Sequence, residues 1–327
     1  MEISVVIPAF NAASTIASTI NSAAEQSHTP DEIIVVDDGS TDSTVARAES
    51  VESPVRVISQ SANRGPAAAR NRGMQAATGE VVAFLDADDL WTEDKLEKQL
   101  TLLLEHAEVQ LVFTNIIDQH TDGTLAQTPH VNLHNCAVSE LPFKQPSEAA
   151  FVFTTPVVSG LLLRNIIHTP TVVARRKAIE LAGGFDESLR FMEDLNLWFE
   201  IARTNSVAYL DRICCYRRLH DSNVTRDRGS ADSTQIRILS QWLTRNDVDW
   251  HGDHRARLQR RLARLEASCA RRRLADGRKE EARSLFRNSL AHEWNWRVQA
   301  WYTLSCLGGS LGRRIAARSN APTQSVR

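Results

Sequence analysis

Three carboxylates lie within four residues of one another, directly after a run of apolar residues. The run Val81-Val82-Ala83-Phe84-Leu85 is followed by Asp86, Asp88 and Asp89. Five apolar residues in a row are typical of a strand that is buried on both faces of a parallel sheet. Carboxylates this close repel one another unless a cation lies between them, and hard divalent ions prefer oxygen ligands. The pattern favours a ligand site at the end of this strand.

A second acidic cluster follows another apolar run. Asp37 and Asp38 come directly after Ile33-Ile34-Val35-Val36. Open α/β sheets bind their ligands at the carboxyl ends of the strands, so both clusters are expected at one edge. A plainer alternative is that Asp38, Asp88 and Asp89 cap the helices that follow them. Two consecutive strands that end in acidic residues favour the ligand site.

Apolar runs and helical periods alternate through the first part of the chain, which predicts an α/β fold of the Rossmann-like kind. We expect a mostly parallel sheet that is sandwiched by helices. The first strand is expected to stop at Pro8, and residues 118–163 show no clear period, which is typical of binding loops. Strands are predicted at 3–7, 33–36, 55–58, 81–85, 109–113, 171–174, 207–210 and 213–216, and helices at 11–25, 67–77, 96–104, 175–181 and 195–202.

The pattern changes to helices alone beyond about residue 230. Helices are predicted at 236–243, 255–274 and 280–290, so we expect two domains, 1–228 and 229–327. The net charge of −2 hides an asymmetry, because residues 253–318 carry 16 Lys and Arg against 6 Asp and Glu. A basic helical region on an acidic body could face an anionic partner, including a membrane surface.

Aromatic residues and arginines follow the last of these helices. Trp and Arg beside leucines are typical of a helix at a membrane interface, but also of a helix packed on its own domain. A nucleic-acid role is disfavoured, because the arginines sit at helical spacing without a recognition motif. The residues concerned are Trp294, Trp296, Trp301, Tyr302, Leu304, Leu307, Leu311, Arg313, Arg314 and Arg318.

The remaining composition indicates a reduced, cytoplasmic protein. The five cysteines are scattered without zinc-like spacing. The first residues form a strand pattern with no signal-peptide character, and no apolar stretch reaches the ~18 residues of a membrane span. We expect a cytoplasmic protein that could also contact the inner face of the membrane.

Six segments in order resemble glycosyltransferase family 2, enzymes of the GT-A fold that use nucleotide-activated sugars. The resemblance covers roughly residues 2–225 and leaves out the last third. The segments are Val5-Val6-Ile7-Pro8-Ala9-Phe10-Asn11, Val35-Val36-Asp37-Asp38-Gly39-Ser40-Thr41-Asp42, Ala69-Arg70-Asn71-Arg72-Gly73, Phe84-Leu85-Asp86-Ala87-Asp88-Asp89, Gly183-Gly184-Phe185-Asp186-Glu187 and Glu193-Asp194-Leu195-Asn196-Leu197-Trp198.

The resemblance implies a nucleotide site built from the loop after the first strand and the acid after the second. Asp38 is the better candidate for a contact to the base or the ribose, with Asp37 beside it. Arg70 would lie near the phosphates, although a surface ion pair is its plainer role. The residues expected to bind the nucleotide are Pro8, Ala9, Phe10, Asp37, Asp38, Arg70, Asp86 and His220.

The resemblance also implies a divalent cation, Mg²⁺ or Mn²⁺. Asp86-Ala87-Asp88 matches the family's DxD motif, and residues two apart on an extended segment point the same way. Asp88 is the expected direct ligand, and Asp86 would contact the ribose or a metal-bound water. His220 could reach the diphosphate or the metal, although a lone histidine is more often structural.

Asp194 matches the acid that activates the acceptor in this family, with Glu193 as the alternative. A general base needs a raised pKa, whereas an acid at a helix N-terminus is stabilised in its charged form. The implied reaction is an inverting transfer from a nucleotide-diphosphate sugar, most simply a UDP-sugar, to a sugar or a lipid-linked saccharide. Bacterial cell-surface polysaccharide or glycolipid synthesis would be its setting.

Two other classes of protein remain as alternatives. A sugar-phosphate nucleotidyltransferase would carry a glycine-rich loop after the first strand, and the loop at Pro8-Ala9-Phe10-Asn11 has no glycine. A non-catalytic sugar-nucleotide-binding or scaffold protein would not need Asp194. A dehydrogenase is disfavoured, because no G-x-G-x-x-G follows a strand.

Overall fold

The chain divides into two compact units, Met1–Val224 and Thr225–Arg327. The computed structural model describes residues 1–220 and 228–306, except for the side chains of 228–231. Among the helices of these described ranges, none is both long and apolar enough to cross a membrane.

One sheet runs through the described part of the first unit. Its strands are β1 (Ile3–Ala9), β2 (Glu32–Asp37), β3 (Val55–Ser59), β4 (Val81–Phe84), β5 (Leu90–Trp91), β6 (Val109–Gln119), β7 (Phe143–Ser147), β8 (Ala150–Phe153), β9 (Val173–Arg175) and β10 (Ser206–Arg218). Their spatial order is β3-β2-β1-β4-β9-β6-β10-β8-β7, and β5 pairs with β10.

The direction of the strands decides which ends meet. Strands β3, β2, β1 and β4 are parallel, as the strand–helix alternation predicted. Strand β9 is antiparallel to both β4 and β6, and β6 is parallel to β10. The carboxyl ends of β1, β2, β4, β6 and β10 therefore lie at one edge of the sheet, although the half beyond β4 is mixed.

Helices cover the sheet, and buried aliphatic residues of the strands form the core between them. The helices of this unit are α1 (Ile16–Ala24), α2 (Thr44–Glu49), α3 (Pro66–Ala76), α4 (Lys95–Glu105), α5 (Val158–Leu163), α6 (Arg176–Leu181) and α7 (Glu193–Thr204). Helix α3 lies close against β1, since a Cβ added at Gly73 would be 2.3 Å from Cγ1 of Val6. This close contact brings α3 beside the strand ends.

Strand β1 continues through Pro8 to Ala9, so the expected stop at Pro8 is wrong. The carbonyl of Ala9 accepts a hydrogen bond from Asp38 N–H on the β2 side. Backbone groups of alternate residues point to opposite neighbours, so Pro8 faces the β4 side. The pairing between β1 and β4 ends at Val6 and Phe84, before Pro8. Since Pro8 has no β4 residue opposite it, its missing N–H removes no hydrogen bond from the sheet.

Two further regions differ from the expected pattern. Strand β6 runs on to Gln119, and β10 is a single strand where two were predicted, with register irregularities between Leu210 and Cys215. The stretch 118–163 contains β7, β8 and α5 rather than loops alone. A tight turn lies at Asp122-Gly123, where His120 N–H donates to the Thr124 carbonyl at 2.8 Å.

The second unit is helical in its described part, as predicted. Its helices are α8 (Arg228–Thr244), α9 (His254–Ala275), α10 (Lys279–His292) and α11 (Trp296–Cys306). A small core of Ala270, Leu274, Ala282 and Phe286 joins α9 to α10, and Trp301 and Tyr302 pack against it. The predicted tail residues Leu307, Leu311, Arg313, Arg314 and Arg318 lie outside the described residues.

Candidate active site

Arg70 joins two acidic groups that come from different parts of the chain. Its guanidinium lies 2.8 Å from Oδ1 of Asp86, after β4, and 2.8 Å from Oε1 of Glu193, at the start of α7. Both Arg70 and Glu193 are buried. Three separate family segments therefore meet at the carboxyl edge of the sheet, and the plainer role of Arg70 as a surface ion pair is wrong.

The charge balance around Arg70 favours its cationic form. Burial alone would lower the pKa of Arg70, but the attraction of Asp86, Glu193 and Asp194 outweighs it and raises the pKa above its ordinary value. Its Nε is buried without a hydrogen-bond partner. Loss of either acid would leave part of a buried charge uncompensated and would destabilise the protein, so the ion pairs hold the three side chains together.

An aromatic cluster packs against this charge network. Phe84, Phe185 and Trp198 have ring centroids 5.3–5.8 Å apart. The guanidinium carbon of Arg70 lies 5.4 Å from the centre of the Phe185 ring. The backbone of Phe185 is held in turn by Asn71, whose amide nitrogen donates to its carbonyl at 2.8 Å and whose oxygen accepts its N–H at 2.9 Å.

Asp194 and Glu193 begin α7 after a strained residue. Met192 has φ of +64°, a left-handed conformation that costs energy for a residue with a side chain. Asp194 accepts a hydrogen bond at Oδ2 from the Thr169 hydroxyl at 2.7 Å and at Oδ1 from Leu195 N–H at 2.7 Å. Its carboxylate is held in one orientation and stays half-buried.

Glu193 has the raised pKa that a base requires. Burial, and then the charge of Asp194, raise the pKa of Glu193 to about 7 against the opposing attraction of Arg70. The carboxylate of Glu193 is nevertheless occupied by Arg70, whereas Asp194 is the more accessible of the two. The assignment of a base within this pair stays a prediction.

Asp88 and His220 form a second pair at the same edge. Nε2 of His220 lies 2.8 Å from Oδ2 of Asp88. The backbone carbonyl of Asp88 accepts a hydrogen bond from Nε of Arg218, which also donates to Ser18 and Thr19 of α1. These hydrogen bonds connect the loop that follows β4 (the β4 loop) to the end of β10 and to α1.

Asp89, in the same loop, is buried. Burial, and then the charges of Asp86 and Asp88, raise the pKa of Asp89 well above its usual range. One of its oxygens accepts the N–H of Arg218 at 3.3 Å. The N-cap residue of α4 is Asp94, so the alternative that Asp88 or Asp89 caps the next helix is wrong.

Asp38 holds a loop rather than a helix. Its two oxygens accept the N–H groups of Arg64 and Gly65 at 2.8 Å, and Gln60 donates a third bond at 3.1 Å. Burial raises the pKa of Asp38. Asp37 accepts the N–H of Ser40 within the turn after β2, whereas Asp38 joins that turn to the loop after β3. Capping of the helix at Ser43 is not their role, and the base or ribose contact stays a prediction.

The loop after β1 contributes an exposed ring. Ala9 is buried, but Phe10 leaves 47% of its surface exposed, unusual for a phenylalanine beside a buried strand. Asn11 follows with φ of +49°, and its side-chain oxygen accepts the N–H of Thr41. The turns after β1 and β2 are therefore joined, and Phe10 lies on the joined surface.

A cation would find few protein ligands here. Asp86 and Asp88 keep about a third of their side-chain surface exposed, and each already has a basic partner. Within residues 1–220 and 228–306, no cluster of three or more His, Cys, Asp or Glu side chains could hold a metal ion. The donor set suits a hard cation only if the substrate supplies most of its ligands.

Two contacts at this site were not predicted from the sequence. Thr169 reaches Asp194 from a turn 25 residues away, and Arg218 reaches the β4 loop from 130 residues away. A weak indication of the role of Arg218 was present in the sequence, since Arg217-Arg218 ends a strand at the ligand edge. Nothing in the sequence indicated the contact of Thr169, because a threonine before a proline is common in turns.

Comparisons with known proteins agree with the fold. A family model described as glycosyl transferase family 2 matches residues 4–157. The chain is 31% identical over 246 residues to an uncharacterised glycosyltransferase, alr2836 from Nostoc sp., covering 72% of this chain and 70% of that one. The chain belongs to glycosyltransferase family 2.

A relative with a named activity is similar over a stretch of comparable length. The chain is 27% identical to WfgD of Escherichia coli, named as a UDP-Glc:alpha-D-GlcNAc-diphosphoundecaprenol beta-1,3-glucosyltransferase, over 74% of this chain and 86% of that one. Two other relatives, from Bacillus subtilis and Rickettsia typhi, are matched over 49% and 65% of their own lengths.

The structural comparison confirms the predicted fold class. S. aureus TarS in complex with UDP-GlcNAc superposes with a TM-score of 0.66 at 19% identity, over 100% of this chain and 93% of that one. At this level of identity the likeness establishes the fold alone.

Proposed function

We propose that this chain transfers a sugar from a nucleotide-diphosphate donor to an acceptor hydroxyl, with inversion at the anomeric carbon. The observation that carries the proposal is the meeting of Arg70, Asp86, Glu193 and Asp194 at one sheet edge. Charge networks of this kind, with shifted pKa values in a cleft, are typical of active sites. Membership in glycosyltransferase family 2 supports the same reaction.

Asp194 is proposed as the general base. The acceptor hydroxyl attacks the anomeric carbon from the face opposite the diphosphate, and its proton passes to Asp194. A new C–O bond forms as the bond from the anomeric carbon to the diphosphate oxygen breaks, and the electron pair leaves with the nucleotide. Hydrogen bonds from Thr169 and Leu195 N–H orient the carboxylate, and no covalent enzyme intermediate is required.

Arg70 is proposed to fix the site rather than to move a proton. Its charge is neutralised by Asp86 and Glu193, so it holds α3, the β4 loop and α7 in one geometry. Phe10 offers a ring on which a base could stack. Pro8 and Ala9 position that ring, and Asp37 and Asp38 hold the adjoining turn, where they could contact the ribose or the base.

A divalent cation, Mg²⁺ or Mn²⁺, is proposed to be held by Asp88, with Asp86 nearby and His220 beside it. Two half-exposed carboxylates fit a cation whose other ligands come from a diphosphate. When bound, such a cation neutralises charge on the departing nucleotide. The protein's own part is to hold Asp88 in place through Arg218 and His220.

The donor is proposed to be a UDP-sugar, and the acceptor a sugar or a lipid-linked saccharide of a bacterial surface polymer. The name of WfgD specifies a UDP-glucose donor and a diphosphoundecaprenol-linked acceptor, and TarS was crystallised with UDP-GlcNAc. The Bacillus subtilis relative TuaG is named for teichuronic acid biosynthesis. These similarities support the substrate class without identifying the sugar.

Calorimetric titration tests the donor site. UDP, GDP and dTDP are each titrated with Mn²⁺ and then with EDTA, into the natural chain and into Asp88→Ala. We expect binding of UDP that depends on the metal and weakens in the variant. Asp122→Ala, an exposed loop acid, is the control and should bind normally. A folded protein that binds none of the three would refute the donor site and favour the non-catalytic alternative.

A further inference from the structure

The aromatic residues at the end of the described chain divide into two groups. Trp301 and Tyr302 pack against the small core of α9 and α10. Trp294 and Trp296, in contrast, expose 71% and 64% of their surfaces. One residue, Asn295, separates them, and they lie where α10 ends and α11 begins. Packing within the helical unit therefore explains the first group and leaves the second unexplained.

A groove lies beside the two exposed tryptophans. Its volume is about 160 Å³, and its lining comes from α9, the end of α10 and the start of α11. Ala263 and Ala267 line it with small side chains, which keeps it open. Asn295, between the two tryptophans, lines it as well, and its side-chain oxygen caps α11 by accepting the Arg297 N–H at 2.9 Å.

Two arginines of α9 line the same groove. Arg264 and Arg271 are seven residues apart, two helical turns, and so lie on one face of the helix. The side chain of neither arginine has a hydrogen bond or an ion pair with a described residue, and Nε of Arg271 is buried without a partner. The lining contains one acid, Glu293, so the groove carries a net positive charge.

We propose that this groove binds the phosphate of an anionic phospholipid while Trp294 and Trp296 enter the bilayer interface. Arginine forks match phosphate oxygens, and tryptophan prefers the interface, where one end of the ring is apolar and the other is wet. The groove is smaller than the ~300 Å³ at which drug-sized ligand sites begin, so it suits a headgroup rather than a nucleotide. The basic surplus of residues 253–318 complements an anionic membrane surface.

Vesicle flotation with the full chain tests the proposal. Binding is compared on phosphatidylcholine vesicles and on vesicles that also contain phosphatidylglycerol, for the natural chain, Trp294→Ala/Trp296→Ala and Arg264→Gln/Arg271→Gln. We expect binding to the anionic vesicles only, and a loss of about thirtyfold for the arginine pair, from the usual contribution of two basic residues near an anionic surface.

The matched control is Arg255→Gln/Arg287→Gln, which removes the same charge from exposed positions of α9 and α10 outside the groove. It should lose at most a few-fold. Equal loss in the two arginine pairs would overturn the groove as the binding site. Full binding by the tryptophan variant, or equal binding to neutral vesicles, would overturn the proposal as a whole.

A last arm separates lipid phosphate from phosphate in solution. Inorganic phosphate should release the protein from anionic vesicles no better than sodium chloride of equal ionic strength. Selective release by phosphate would make the groove a site for a soluble anion and overturn the lipid assignment. The inference does not depend on sugar transfer, since UDP titration of the same variants reports the donor site separately.

Discussion

Each compact unit buries a glutamate, and the two are held differently. Burial is the main cause that raises the pKa of both Glu193 and Glu266 to about 7. Glu193 has Arg70 at 2.8 Å, whereas Oε2 of Glu266 has no hydrogen-bond partner. Its other oxygen, Oε1, lies 3.8 Å from Nε2 of His292, and burial lowers the pKa of that histidine. In the sheet unit Arg70 offsets part of the cost of burying Glu193 and the pair joins separate elements, while at Glu266 burial acts alone.

The largest effect is expected at Asp194, the proposed base that receives the proton of the acceptor hydroxyl. Asp194→Asn keeps the shape of the side chain but cannot accept the proton, so kcat should fall by about 10²–10⁴-fold. Nucleotide binding should stay normal, which calorimetry checks, and Asp122→Asn serves as the control. A variant with normal kcat would move the role of base to Glu193.

Removal of Arg70 should make Glu193 resemble Glu266. Arg70→Met leaves two acids without their cation, and breaking a buried pair in this way costs about 3–5 kcal/mol in the free energy of unfolding. The loss should be smaller at pH 5 than at pH 8, because Glu193 can then take up a proton. Urea unfolding measures it, with the exposed neighbour Arg72→Met expected within ~0.5 kcal/mol of the natural chain. Equal effects of the two variants would contradict the network.

Thr169 should prove to be a positioning residue for Asp194. Thr169→Val removes a hydrogen bond to a carboxylate, so kcat should fall by about 10–100-fold. Thr169→Ser keeps the hydroxyl and should restore kcat, which steady-state kinetics measure. An equal loss of kcat in Thr169→Ser would indicate a packing role instead.

Glu266 should show the smallest effect, with the opposite sign. A carboxylate whose pKa is raised binds more protons in the folded state, so its contribution to stability falls as pH rises from about 4.5 to about 7. Glu266→Gln removes that penalty and should stabilise the chain by about 1–2 kcal/mol at pH 8, with little effect at pH 5. Urea unfolding at both pH values checks this.

Much of the sheet could be predicted from the sequence because its signals are local. The apolar runs at Ile33 to Val36 and Val81 to Leu85 are strands, and the acids after them lie at a common edge. The family and the fold class are confirmed. The mixed half of the sheet could not be predicted, because the antiparallel insertion of β9 between β4 and β6 leaves no mark in a three-residue strand.

The roles of single residues were less predictable than the motifs that contain them. Arg70 was expected near the phosphates, which stays a prediction, and it forms a buried pair with Asp86 and Glu193 that could not be predicted from the sequence. Asp38 was expected at the nucleotide, and both of its oxygens already hold the loop at Arg64 and Gly65. The catalytic, nucleotide and metal assignments stay predictions.

By itself the sequence determined which segments are strands, which acids end them and to which family the chain belongs. These features rest on local periodicity and on motifs a few residues long. Only the tertiary structure decided which charges are paired, that Thr169 holds Asp194, and which of four aromatic residues remain exposed. Such contacts join residues 16 to 132 positions apart, and the burial that shifts a pKa exists only once the chain has packed.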